Sequence, residues 1–121
     1  MKISARTPRR EYERRIAPRG ILSLLKQKVL HQWARICIPG ALRIGLYRAM
    51  GIAIGKNVFV GLDTWLDDQF PELIEIEDDV TISFRVTVVV HDDARRMEGV
   101  IPGAGDGTVA PVRLKRGCYL G

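Results

Sequence analysis

Cysteine is scarce in this 121-residue chain: only Cys37 and Cys118 occur, far apart and without metal-ligand spacing. That argues against a disulfide-built scaffold or a zinc site and points to a reducing compartment. No apolar run is long enough for a signal-peptide core or a membrane span, although the amino terminus is basic. A cytoplasmic protein is therefore expected, with attachment to the inner membrane face still open. There is no phosphate-cradling Gly-x-x-x-x-Gly-Lys, no Ser-His-Asp set that spacing justifies and no two-histidine metal motif, so no metal is expected. Acidic residues are nearly missing from the first half. Residues 1–50 hold 12 Lys/Arg against 2 Asp/Glu, whereas residues 51–121 hold 7 against 12. The split separates a basic amino-terminal arm from an acidic remainder. Such an arm suits nucleic acid, an anionic membrane surface or an acidic partner. Tyr12 stands alone among the arginines, which leaves no series of stacking aromatics, so nucleic acid is not expected as a partner.

What is present falls into three segments. Residues 1–20 carry six arginines and two prolines with few large apolar side chains, and read as a basic flexible tail. Residues 21–50 turn helical. Leu22, Leu25, Val29, Trp33 and Ile36 recur at spacings of three and four, Pro39-Gly40 ends that helix, and a second runs from Ala41 to Met50 before Gly51. The two helices are expected to cap the segment that begins at residue 51, with the apolar stripe against a protein core. The alternative places them on a membrane with Trp33 at the interface. His31 reads as an exposed helix residue.

From residue 51 onward neither the helical nor the strand period applies. Apolar residues fall on a beat of six instead: Ile54, Val60, Leu66; Ile76, Ile82, Val88; Leu114, Leu120. A smaller set sits four residues behind: Val58, Thr64, Val80, Val86 and Cys118. A beat of six is the mark of a β-solenoid whose short strands each form one side of a prism. The first residue of each six should point inward, and the second, often glycine, should sit at the corner. The paired acids Asp67-Asp68 and Asp78-Asp79 read as corner and surface residues. The beat disappears between Ala94 and Ala110, where four glycines and a proline make a loop long enough for a role in a site. It reopens at Leu114 with only about two full circuits behind it. The expectation is an amino-terminal piece of a longer repeat protein.

Gly51-Ile-Ala-Ile-Gly-Lys-Asn-Val, Pro71-Glu-Leu-Ile-Glu-Ile-Glu-Asp-Asp-Val-Thr-Ile, Val86-Thr-Val-Val-Val-His-Asp and Pro111-Val-Arg-Leu-Lys-Arg-Gly-Cys-Tyr-Leu-Gly resemble the hexapeptide-repeat acyltransferases. Maltose, galactoside and polysaccharide O-acetyltransferases belong to that family, and the likeness covers roughly residues 42–121. The resemblance implies a mainly β chain: a left-handed parallel β-helix of about two coils plus a truncated third, incomplete over residues 51–121 and preceded by amphipathic helices. It implies a homotrimer, acetyl-CoA or another acyl-CoA as co-substrate, and a sugar or polysaccharide-precursor hydroxyl as acceptor. His91 falls on the catalytic position as general base. Asp63 matches a polar acceptor-binding position, and Asp92 either orients His91 or solvates the loop. No coenzyme A contact is assigned. Lys115 and Arg116 depart from the family's usual Gly and Asp. The alternatives are a non-catalytic repeat protein and a basic-arm protein that binds a membrane surface.

Overall fold

The computed structural model describes residues 6–16, 20–93 and 107–121. Most of the glycine-rich loop expected at 94–110 lies outside them, as do residues 1–5 and 17–19 of the expected tail.

The described chain is a mixture of helices and very short strands, which corrects the expected mainly β, left-handed parallel β-helix. Three helices, α1 (Arg9–Ile16), α2 (Ile21–Ile36) and α3 (Gly40–Met50), precede most of the strands. The strands are β1 (Thr7–Pro8), β2 (Ala53–Ile54), β3 (Phe59–Val60), β4 (Trp65–Leu66), β5 (Ile74–Ile76), β6 (Thr81–Ile82), β7 (Thr87–Val88), β8 (His91–Asp92), β9 (Thr108–Val109), β10 (Val112–Leu114) and β11 (Tyr119–Leu120). They form three small parallel sheets, β10-β5-β2, β11-β6-β3 and β4-β7, and one antiparallel sheet, β1-β9-β8. Among the described residues no extended left-handed β-helix is evident. The physical reason is economy of strand: each strand holds only two or three residues, and helix outweighs strand.

The beat of six nevertheless builds the core. Parallel pairing sets Ile54 beside Ile76, Val60 beside Ile82 and Leu66 beside Val88, an offset of 22 residues. Val60, Leu66, Ile76, Ile82, Val88 and Leu114 are all buried, with Thr64 and Val80 closed off beside them. In five of the sixes, however, the turn falls at the fourth residue and not the second. Asn57, Asp63, Asp79, Arg85 and Gly117 all have φ between 54° and 74°. Asn and Asp accept that left-handed backbone more readily than most side chains do. The second-place glycines serve close approach instead. A Cβ on Gly55 would lie 2.2 Å from Asp78 Oδ1, and one on Gly61 would lie 2.3 Å from the Phe84 nitrogen.

α3 packs on β2 and β3, and α2 packs on α3 and β4. Gly51 ends α3 at φ 110°, its amide donating to the carbonyls of Tyr47 and Arg48. Arg43 is buried and donates to the Cys37 and Ile38 carbonyls after α2 and to the Val60 carbonyl of β3. One guanidinium thus satisfies the end of a helix and ties it to the strands. Tyr47 is fully buried, donates to the Thr64 carbonyl at 2.6 Å, and has its phenol pKa pushed up to about 12 by burial.

Two sequence expectations are reversed. Residues 7–16 of the supposed flexible tail form β1 and α1, and β1 pairs antiparallel with β9. The apolar stripe of α2 faces outward: Leu22, Leu25, Val29, Trp33 and Ile36 are all more than half exposed, while the helix buries His31 and Ala34.

Candidate active site

The beat dictates what lies under His91. The β4–β7 pairing ends at Leu66 and Val88, and the Asp67 amide donates to the Val88 carbonyl, which brings the residues after Leu66 beside those after Val88. The Asp67 carboxylate bridges the two stretches. Its Oδ1 accepts the Gln69 amide at 2.9 Å, and its Oδ2 accepts the Val90 amide at 2.9 Å. The same Oδ2 lies 2.5 Å from His91 Nδ1. With the carboxylate ionised and the imidazole neutral, Nδ1 carries the proton and Nε2 the free lone pair. Asp67 is 1% exposed, whereas about a fifth of the His91 side chain remains open. A buried carboxylate with three hydrogen-bond contacts and a partly open imidazole above it is an arrangement that can serve as a positioned base.

The surroundings come from the amino-terminal arm. Phe70 is fully buried, with its ring centroid 6.0 Å from that of His91. Tyr12 of α1 meets Phe70 edge-on at 5.7 Å and donates to Glu72 at 2.7 Å. Arg9 lies over the Phe70 ring at 5.4 Å and contacts Asp93 and Gln69, each at 3.3 Å. Arg6 pairs with Asp92 at 2.7 Å and donates to the Thr108 hydroxyl. The acids that make the repeat region negative are therefore met here by arginines of the basic arm.

The expected site residues separate. His91 is joined by Asp67, which sequence reasoning left as a surface acid. Asp92 points to Arg6, and its carboxylate is not the one that holds the His91 ring. Asp63 pairs with Arg35 of α2 at 2.5 Å and with Arg85 at 3.7 Å. It lines a cleft of about 740 Å³ together with Ile38, Arg43, Phe59, Phe84 and Arg85, and His91 is not part of that lining. Lys115 pairs with Glu77 and Arg116 with Asp79, and both of those carboxyl groups lie below their usual range. The leading cause is the Arg116 amide at Glu77 and the Asn57 side chain at Asp79.

A second histidine–aspartate pair carries no sequence signal. His31 is 1% exposed, and its Nδ1 lies 3.0 Å from Asp68 Oδ2, while Lys28 holds the other Asp68 oxygen at 2.7 Å. Burial pushes the His31 pKa down, against the opposing pull of Asp68. Its Nε2 is buried with no hydrogen-bond partner among the described residues, and the ring sits edge-on to Trp65 at 4.6 Å. This pair is closed to substrate and reads as a structural tie between α2 and the strands, not as the exposed helix residue expected of His31.

Among the described residues no group of three or more His, Cys, Asp or Glu could hold a metal ion. Compared with known proteins, the chain matches no family model, no curated protein and no solved structure.

Proposed function

We propose that the chain moves an acetyl or other acyl group from acyl-CoA to a hydroxyl of a sugar or polysaccharide precursor, with His91 as general base. The observation that carries this reading is the His91–Asp67 pair: a partly open imidazole whose Nδ1–H is fixed by a buried carboxylate, leaving Nε2 to accept a proton. The motif likeness to hexapeptide-repeat acyltransferases supplies the reaction class. His91 Nε2 takes the acceptor's hydroxyl proton as that oxygen attacks the thioester carbonyl. The new C–O bond forms, the C–S bond breaks, and the departing thiolate recovers the proton from the imidazolium as free coenzyme A. Asp67 is a positioning residue that holds the ring and stabilises its transient positive charge. An acyl-CoA donor fits a cytoplasmic protein, and the same likeness suggests a homotrimer.

The test is thiol release from acetyl-CoA with a panel of sugar acceptors. His91→Ala should lower the rate by roughly a hundredfold or more. Asp67→Asn should lower it by about tenfold or more while leaving the acceptor KM nearly unchanged, since it acts through the ring. An unchanged rate in His91→Ala would end this reading. No release with any acceptor would favour the non-catalytic alternative.

A further inference from the structure

α2 carries an apolar face that nothing in the described chain covers. Ile21, Leu22, Leu25, Val29, Trp33 and Ile36 are 55–79% exposed. At 100° per residue they occupy one arc of roughly 120°, interrupted only by Gln32. Ile38 and Leu42, at 80% and 56% exposed, continue apolar surface past the end of the helix. Scattered exposed apolar side chains are normal, but a contiguous face of this kind on one helix marks a binding surface.

Charge identifies what it binds. Lys26 lies at one margin of the arc, beside Trp33, and Lys28 lies at the other, beside Ile21. Both are exposed. α2 has no acidic residue, and no Asp or Glu occurs anywhere from Arg14 to Leu62, a stretch with nine Lys and Arg. A second protein surface would need no such purge of acids, whereas an anionic bilayer surface repels every one of them. Trp and Leu on the apolar side with lysines at the edges is the composition of a helix that lies in the interface plane. No helix among the described residues is long and apolar enough to cross the membrane.

We propose that the α2 face seats the protein on an anionic phospholipid membrane, with Leu22, Leu25, Val29, Trp33 and Ile36 entering the acyl boundary and Lys26 meeting lipid phosphates, while Lys28 stays paired with Asp68. This is independent of the acyl-transfer reading and stands or falls without it.

The experiment is flotation of the full chain with phosphatidylcholine vesicles containing about 30 mol % phosphatidylglycerol, and with phosphatidylcholine alone. The anionic vesicles should carry the protein. A Leu25→Ser, Val29→Ser, Trp33→Ser variant should bind them about tenfold more weakly or worse. Lys26→Glu should lose about fivefold on anionic vesicles and little on neutral ones. Brominated lipids should quench wild-type emission more than that of Trp33→Phe, a readout that does not depend on the triple variant folding. Binding that is absent, that survives the triple variant undiminished, or that leaves Trp33 unquenched would overturn the proposal. So would a wild-type oligomer that ignores vesicles and falls apart in the triple variant, since the face would then belong to a second copy.

Discussion

α1 and α2 are both basic helices, and they use their surfaces in opposite ways. α1 is rich in arginine and poor in apolar residues, yet it is docked: Tyr12 is buried against Phe70, and Arg9 reaches Asp93, Gln69 and the Phe70 ring. α2 carries the better apolar stripe and turns it to solvent, burying a histidine and an alanine instead. The lesson is that an apolar stripe states which face leaves water readily, not which face its own chain covers. What decides docking here is specific complementarity. Arg6 and Arg9 of the arm meet the Asp92 and Asp93 carboxylates, Arg9 also reaches Gln69 and Tyr12 donates to Glu72, and α2 enters through His31, Lys28 and Arg35, which find Asp68 and Asp63.

That contrast can be broken most sharply at Tyr12. Tyr12→Ala removes the one buried aromatic of α1 and should lower the unfolding free energy by about 2–4 kcal/mol in urea titration. A change near zero would mean that the arm is not docked.

A smaller, pH-dependent effect belongs to the docked side of α2. Burial holds the folded-state pKa of His31 below its ordinary 6.5 while Asp68 pulls the other way and Lys28 and Arg35 add to the lowering. The unfolded chain therefore binds this proton more readily than the folded one. The associated stability is fully present above pH 6.5 and is lost as the pH falls through the depressed folded value. Thermal midpoints taken between pH 7 and pH 5 should fall less in His31→Gln than in the wild type. Equal slopes would remove His31 from the explanation.

The smallest effect is expected on the open side of the same helix. Leu25→Ser with Val29→Ser should change stability by no more than about 0.5 kcal/mol, because neither side chain leaves a packed environment. A loss of several kcal/mol would show that the face is covered in the folded protein.

Much of the repeat region is legible in the residues themselves. The beat of six marks the side chains that fill the core, and Gly51 marks a helix end, because inward positions demand apolar bulk and a left-handed cap favours glycine. The global architecture was not legible, since a beat of six specifies local pairing and not how many residues each strand holds. Asp67 escapes a linear reading because the sequence shows it beside Asp68 as a polar pair. Its role is visible only once the 22-residue register sets it beneath Val90 and His91. The register was available from Leu66 and Val88, both on the beat. His31 and Arg43 had no such signal: their partners lie on elements whose placement the pattern does not specify.

The role proposed for His91 depends on Asp67 fixing its ring with Nε2 free. Long-range ¹⁵N–¹H correlation of the full chain near neutral pH reads this directly. His91 should carry its proton on Nδ1, with that resonance shifted far downfield and the preference lost in Asp67→Asn. A His91 ring protonated on Nε2 in the wild type, or one indifferent to Asp67→Asn, would contradict it.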